Sequence, residues 1–197
     1  MSKSVYIASA ARTPVGSFQG ILSSLSAPEL AAQAIKGSIA NAGTTESEID
    51  EVIMGNVVSA GLKQAPARQA MRLAELPDSC GATTINKVCG SGMKALMLAT
   101  DLIKAESANV VIAGGMESMS NAPYLIHKAR SGLRMGHQEL KDSLFCDGLE
   151  DAETGGSMGS FAQDTADKYQ LTREDMDLFA TGSVTKARTA IGKNLLE

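Results

Sequence analysis

The chain has 197 residues, of which 44% are hydrophobic and 20% are charged, and its formal net charge is −4. This composition is typical of a globular protein, and an acidic balance without a basic run argues against nucleic acid as the main partner. No apolar run approaches the roughly 20 residues that cross a bilayer, and the N-terminus does not look like a signal peptide. We therefore expect a cytoplasmic protein with no membrane partner.

The chain has three cysteines, Cys80, Cys89 and Cys146, and two histidines, His127 and His137. The cysteines form no CxxC pair, and neither histidine lies at metal-ligand spacing from them. We therefore expect neither a disulfide framework nor a bound metal.

The first 115 residues alternate strand-like and helix-like segments. The pattern predicts strands over residues 5–10, 50–58, 82–88 and 109–115, and helices over 26–43, 66–76 and 89–106. Ser26 and Glu29 have the spacing of a capping box, and Gly43 is a typical helix terminator. Alternating strands and helices indicate an α/β layered fold.

The predicted helix over residues 89–106 is apolar on nearly every side before Asp101. A helix of this kind is usually buried on several sides, so we expect it to lie between two layers of structure.

The amino-acid composition of the chain changes after Gly115. Residues 116–159 are rich in Ser, Gly, Met and Asn and predict a loop-dominated region. Two helices are predicted beyond it, over 159–170 and 171–197, the second with Thr172 as its N-cap.

Cys89 is the most informative single residue, because it stands where a strand-like run becomes a helix-like run. The start of a helix favours an anionic thiolate. Gly90, Ser91 and Gly92 leave room for a bulky substrate, and their N–H groups could hold an oxyanion. These features indicate an acyl-accepting cysteine, against the alternative of a buried structural thiol. No base is apparent, because both histidines lie in the loop-rich region.

Several segments together resemble the thiolase family. They are "YIASAARTPVGSFQG", "EVIMGNVVSAG", "QAPARQA", "INKVCGSGMKAL", "VVIAGGMESMSNAPYL", "DGLEDA" and "SMGSFAQDTADKYQLTREDMDLFA". The N-x-V-C-x-S-G pattern among them is highly specific, and within the family the likeness is to bacterial acetyl-CoA acetyltransferases. The resemblance implies a layered αβαβα fold. Residues 1–118 would form the N-terminal mixed-sheet domain, and residues 119–197 would form part of the loop domain.

The resemblance also implies an activity, the reversible Claisen condensation of two acetyl-CoA to acetoacetyl-CoA and coenzyme A. Cys89 would be the nucleophile that carries the acetyl group, and its N–H would contribute to an oxyanion hole. Leu149, Ser157 and Met158 would line the channel for CoA and its pantetheine arm. CoA thioesters would serve as substrates, and no cofactor or metal is implied.

The sequence departs from the family pattern in two ways. Ser157 stands where many members carry a histidine, which puts that residue's part in the acyl pocket in doubt. In the family, the activating histidine, the second catalytic cysteine and a water-positioning asparagine lie in a C-terminal half, and so does a strand that closes the first sheet. None of these groups is found in the 197 residues. We therefore expect the chain to be inactive alone and to form a homodimer or homotetramer when complete.

Three alternatives remain open at this point. One is a degradative 3-ketoacyl-CoA thiolase in fatty acid metabolism. Another is a non-catalytic fragment that binds CoA or lipid or serves in assembly. The last is a related condensing enzyme such as a ketoacyl synthase, although the surroundings of Cys89 favour a thiolase.

Overall fold

The computed structural model describes residues 4–195, and its main sheet consists of three parallel strands. These are β1 (Glu51–Gly55), β2 (Gly81–Ile85) and β3 (Val111–Gly115). The strand order is β2-β1-β3, so β1 is central, and Glu51 lies opposite both Gly81 and Val111. Parallel strands place all three carboxyl ends at one edge of the sheet.

Three helices cover the two faces of this sheet. They are α1 (Ala27–Ala42), α2 (Pro66–Leu73) and α3 (Ser91–Lys104). Successive side chains of β1 point to opposite faces. Val52 and Met54 pack with α1 and α2, whereas Ile53 packs with Ala95 and Ala99 of α3. The result is a layered α/β arrangement, as the sequence predicted.

The predicted boundaries of α1 are confirmed. The Ser26 side chain accepts a hydrogen bond from the Glu29 N–H, and the Glu29 carboxylate accepts one from the Ser26 N–H. Gly43 closes the helix with φ of 65°, in the left-handed region that glycine adopts without strain.

The predicted buried strand over residues 5–10 is wrong. The segment forms no strand, and its side chains Tyr6 and Ile7 are 85% and 76% exposed. Only side-chain hydrogen bonds tie it to α1, through Ser9 and Asn41. A strand needs a neighbour to satisfy its backbone groups, and no segment within residues 4–195 pairs with this one.

In the described part of the chain, the helix that follows Cys89 is buried on one side, not on the several sides expected of it in a complete layered fold. Helix α3 begins at Ser91, two residues after Cys89. Ala95 and Ala99 are buried against the sheet, but Met93 and Met97 are 68% and 54% exposed. Only one layer, the sheet, covers α3 in the described part of the chain, so its second apolar face stays open.

The rest of the chain contains short elements followed by two helices. A small antiparallel pair joins β4 (Tyr124–Leu125) to β5 (Lys141–Asp142), and the late helices are α4 (Met158–Lys168) and α5 (Arg173–Gly192). Short helical turns span Glu46–Glu48, Met119–Asn121, Ala129–Ser131 and Phe145–Leu149. The loop-dominated region and both late helices are thus confirmed, and so is Thr172 as the N-cap of α5. Helix α5 ends at Gly192, before the predicted end at residue 197, and residues 196–197 of that prediction lie outside the described residues.

The chain folds into two compact units, of which the first ends at Gly148 and the second begins at Leu149. The domain boundary predicted after residue 118 on the basis of the resemblance stays a prediction. Among residues 4–195 no helix combines the length and the apolar character needed to cross a membrane.

Candidate active site

The residues that follow the three main strands meet around one cavity of about 300 Å³. Val57 follows β1, Cys89 follows β2 and Glu117 follows β3, and all three line the cavity. The carboxyl edge of a parallel sheet is the usual place for ligands in α/β proteins. The cysteine that resemblance and helix position had singled out therefore lies at this edge of the sheet.

Cys89 stands on a tight turn at the start of α3. Gly90 is the N-cap of the helix, so Cys89 is the residue just before the cap, and its side chain is exposed. Val88, immediately before it, has φ of 47°. The left-handed region is unfavourable for a β-branched residue and costs about 1–3 kcal/mol, so surrounding contacts must hold this turn.

Ser91 supplies these contacts from the first position of α3. Its hydroxyl donates to the Val88 carbonyl at 2.6 Å and accepts from the Lys87 N–H at 2.8 Å. The Asn86 side chain accepts from the Val88 N–H at 2.8 Å. Because Ser91 is only 4% exposed, water does not compete well for these bonds. The sequence analysis gave no role to Asn86 or to the Ser91 hydroxyl, although both residues are fixed positions of the N-x-V-C-x-S-G pattern.

Gly55 at the end of β1 allows the close approach that builds this corner. A Cβ atom at this position would lie 2.5 Å from the Ser91 Cβ. Any other residue at position 55 would therefore push the start of α3 away from the sheet.

The predicted oxyanion cradle of Gly90, Ser91 and Gly92 needs a correction. The Gly90 N–H already donates to the Lys87 carbonyl, and the Ser91 N–H donates to the Val88 carbonyl. The same tight turn that exposes the thiol uses these two donors. The Cys89 N–H donates to no other residue in the part of the chain that the structure describes.

Glu117 is a cavity residue that sequence reasoning did not single out. Its carboxylate accepts hydrogen bonds from the Asn56 side chain and from the N–H groups of Val57 and Val58. Burial raises the pKa of Glu117, and these three bonds oppose the rise. Within residues 4–195 the buried Asn56 Oδ1 has no hydrogen-bond partner. The sequence feature that could have indicated Glu117 is its position, two residues after the glycine pair that ends a strand.

The other two thiols do not line the Cys89 cavity. Cys80 is buried and its Sγ donates to the Gly81 carbonyl at 3.3 Å, and burial raises the pKa of this thiol. Cys146 is partly exposed and its Sγ lies 3.4 Å from an Asp147 carboxylate oxygen. The buried surroundings of Cys80 favour the neutral thiol, although the Arg68 charge opposes this rise in pKa.

Neither histidine lines the Cys89 cavity, and both are exposed. Within residues 4–195 no group of three or more His, Cys, Asp or Glu side chains could hold a metal ion.

A larger cavity of about 420 Å³ runs along α2 between the Gln64 and Leu73 side chains. It is lined by Arg68 and Arg72 but by no nucleophile and no acid. Its size alone does not make it the candidate active site.

The three residues predicted to contact CoA lie in the second unit, whereas Cys89 lies in the first. Leu149 ends a short helical turn and is 37% exposed, and Met158 begins α4 and is 42% exposed. Ser157 is the N-cap of α4, and its hydroxyl accepts from the Ser160 N–H at 3.2 Å.

Comparison with known proteins decides the family. Residues 5–196 match the family model described as "Thiolase, N-terminal domain". The chain belongs to the thiolase family. Among similar curated proteins, the acetyl-CoA acetyltransferase of Pseudomonas aeruginosa is 51% identical over 187 residues, and that of Saccharomyces cerevisiae is 49% identical over 190 residues. A relative from Xenopus laevis, named as a mitochondrial acetyl-CoA acetyltransferase, is 48% identical over 192 residues.

A solved structure confirms the thiolase fold. The Acat5 thiolase from Ascaris suum, crystallised in complex with coenzyme A, superposes with a TM-score of 0.92 at 42% identity and covers 98% of this chain. The chain covers 50% of that thiolase, 48% of the Pseudomonas and yeast relatives and 45% of the Xenopus relative. It therefore spans about half the length of the thiolases it matches.

Proposed function

We propose that this chain is the nucleophile-bearing half of an acetyl-CoA C-acetyltransferase, a thiolase that condenses two acetyl-CoA into acetoacetyl-CoA and coenzyme A. The observation that carries the proposal is the setting of Cys89. Its side chain is exposed on a strained turn, at the carboxyl edge of a parallel sheet, and it lines a cavity of about 300 Å³. The names of the relatives at about half identity support the substrate class.

In the first step, the Cys89 thiolate attacks the carbonyl carbon of acetyl-CoA. The new C–S bond forms on Cys89, the bond to the CoA sulfur breaks, and coenzyme A leaves as a thiol after taking a proton. The Cys89 N–H, which has no other acceptor among the described residues, is available to the carbonyl oxygen as negative charge develops on it.

In the second step, a second acetyl-CoA loses a proton from its methyl carbon. That carbon attacks the acetyl group on Cys89, the new C–C bond forms, and the Cys89 sulfur leaves as a thiolate. The resemblance assigns the proton-transferring histidine and cysteine to the C-terminal half of the thiolase fold, beyond the matched region. Activity of this chain therefore depends on that half.

We further propose that Leu149, Ser157 and Met158 contact the CoA and pantetheine channel. The coenzyme A in the Ascaris thiolase supports a CoA site in this fold. The apolar side chains of Leu149 and Met158 are partly exposed, as such a channel requires. The Ser157 hydroxyl already caps α4, so its contribution to binding is smaller. CoA thioesters would act as substrates without a metal or other cofactor.

The assembled enzyme would be a cytoplasmic homodimer or homotetramer. The bacterial relative is consistent with this location, and a mitochondrial location, as in the name of the Xenopus relative, is the alternative.

Acetyl transfer to the chain tests the proposal. The chain would be incubated with acetyl-CoA, alone and together with the C-terminal half of the Pseudomonas relative, and analysed by intact mass and peptide mapping. We expect one acetyl group on the Cys89 peptide in the mixture, because only the mixture contains the activating histidine that the resemblance assigns to the C-terminal half. Cys89→Ser should abolish the label, and Cys146→Ser, a control at a partly exposed thiol outside the cavity, should leave it unchanged.

Two other outcomes would change or contradict the proposal. Acetylation of the chain alone would mean that the turn activates the thiol without the other half. A folded mixture that binds coenzyme A but never becomes acetylated would contradict the acetyltransferase function. The alternative of a non-catalytic fragment that serves in binding or assembly would then remain. The exposed apolar face of α3, with Met93 and Met97, is the observation that favours an assembly role.

A further inference from the structure

Among the described residues, the Glu117 carboxylate accepts hydrogen bonds from N–H groups only. Its Oε1 accepts from Asn56 Nδ2 at 2.7 Å and from the Val58 N–H at 3.0 Å, and its Oε2 accepts from the Val57 N–H at 3.0 Å. No salt bridge reaches Glu117 within residues 4–195. Both carboxylate oxygens are thus used to hold the loop that follows β1.

These bonds tie the ends of two strands into one wall of the Cys89 cavity. Asn56 Nδ2 also donates to the Met116 carbonyl at 3.2 Å, and the Met116 N–H donates to the Gly55 carbonyl at 2.9 Å. Val57 and Glu117 both line the cavity that Cys89 lines. A change in the Glu117 hydrogen bonds would therefore move the surface that a substrate must pass to reach the thiol.

We propose that Glu117 is a positioning residue for the reaction at Cys89, and that it acts as a carboxylate that holds the backbone of Val57 and Val58, so that Val57 keeps its place in the wall of the substrate-accepting cavity. The inference rests on the proposed function for the identity of the substrate, a thioester on a pantetheine arm. It gives a role to a residue that does not touch the reacting atoms.

The three contacts require an acceptor on both oxygens. An amide of the same shape has one acceptor oxygen and one NH₂ group. Glu117→Gln would place that NH₂ group against at least one of the N–H donors, and a donor facing a donor cannot form a bond. The variant therefore removes at least one of the three contacts while it preserves side-chain volume.

Protonation of Glu117 would have the same effect as the amide. Burial raises the pKa of Glu117, so the carboxyl takes up its proton at a higher pH than an exposed glutamate would. The protonated oxygen is a donor and faces an N–H. Asn56, Val57 and Val58 from the β1 side carry no titratable group, and the turn before α3 presents the Cys89 thiol to the same cavity. The wall should therefore loosen as the pH falls.

Alkylation of Cys89 by two probes of different size tests the proposal on this chain. Iodoacetamide needs little space, whereas chloroacetyl-pantetheine must fit the cavity and carries no phosphate that would titrate. Both rates depend on the Cys89 thiolate in the same way, so their ratio reports on the cavity alone. We expect Glu117→Gln to slow chloroacetyl-pantetheine about tenfold and iodoacetamide no more than about twofold, the scale of one lost buried hydrogen bond.

Two further measurements make the experiment specific. Amide hydrogen exchange at Val57 or at Val58 should become faster in Glu117→Gln, because the amide keeps an acceptor oxygen for only one of these two N–H groups. In the wild-type chain, the rate for chloroacetyl-pantetheine divided by the rate for iodoacetamide should fall as the pH falls. This pH dependence should be absent in Glu117→Gln. Glu46→Gln, a matched change at an exposed glutamate far from the cavity lining, should leave all three readouts unchanged.

The outcomes separate this inference from the proposed function. If the wild-type chain shows no preference of chloroacetyl-pantetheine for Cys89 over Cys146, both fail together. If the preference exists but Glu117→Gln keeps the wild-type ratio, the role of Glu117 is overturned and the proposed function stands. If Glu117→Gln does not fold, the test is the pH dependence of the ratio of alkylation rates in the wild-type chain. A ratio that does not change with pH overturns the inference.

Discussion

At the scale of single residues, Ser91 holds the strained turn on which Cys89 stands. Its hydroxyl bridges the Lys87 N–H and the Val88 carbonyl, and it is buried where water cannot replace it. The thiol that we propose as the nucleophile is therefore positioned by the hydroxyl of a neighbouring residue. The sequence pattern places both residues but does not show this bond.

Ser91→Ala should lower the free energy of unfolding by about 1 kcal/mol, because it leaves the Lys87 N–H without its acceptor and the Val88 carbonyl with only the Ser91 N–H as donor. Relaxation of Val88 from its φ of 47° should also change the rate at which iodoacetamide alkylates Cys89. Urea denaturation and alkylation kinetics measure the two effects. Ser107→Ala is the control, at an exposed serine after α3, and should stay within about 0.5 kcal/mol of the wild type. Equal stability of the two variants would show that Ser91 does not hold the turn.

At the scale of elements, the helices whose ends carry side-chain signals were predictable from the sequence. Helix α1 has its capping box at Ser26 and its left-handed glycine at Gly43, and α5 has its capping box at Thr172. Caps are local interactions within a few residues, so the sequence displays both partners. The segment at residues 5–10 has a strand-like composition but no local partner, and there the prediction failed.

Ser26→Ala should destabilise the chain by about 1 kcal/mol at neutral pH, the usual worth of an N-cap. The hydrogen bond from the Ser26 hydroxyl, followed by that from its N–H, lowers the pKa of Glu29. A lowered pKa means that ionised Glu29 stabilises the fold above the ordinary glutamate range. This contribution is lost as the pH falls through the lowered pKa. The difference between wild type and variant should therefore narrow in acid, as followed by thermal unfolding at several pH values.

The control for this prediction is Ser24→Ala, two residues upstream at an exposed position outside the helix. It should leave the stability unchanged at every pH. A pH-independent loss in Ser26→Ala would mean that the cap acts without the Glu29 carboxylate.

At the scale of the whole molecule, the second face of α3 has no cover in the described chain. Met93 and Met97 lie one helical turn apart and are 68% and 54% exposed, with Leu96 beside them at 41%. A contiguous apolar patch of this kind usually marks an interaction surface. The chain spans about half of its relatives, which is consistent with a partner surface here.

Sedimentation equilibrium of the chain alone should therefore show self-association. The double variant Met93→Ser with Met97→Ser should weaken that association by about tenfold or more, because it removes the apolar area that drives it. Met135→Ser, at a methionine that is 93% exposed and remote from α3 in sequence, is the control and should behave like the wild type. A wild-type chain that stays monomeric at high concentration would show that the exposed face of α3 is not an interaction surface.

By itself, the sequence determined the α/β class, the helices with local caps, the family and the position of Cys89 between a strand and a helix. Each of these depends on residues close together in the chain or on a pattern of residue types. Only the tertiary structure decided that the 5–10 segment is unpaired, that α3 is covered on one face, and that Glu117 and Asn56 join the Cys89 cavity. These features depend on contacts between residues about 30 to 60 positions apart, and such contacts follow from packing that no local pattern records.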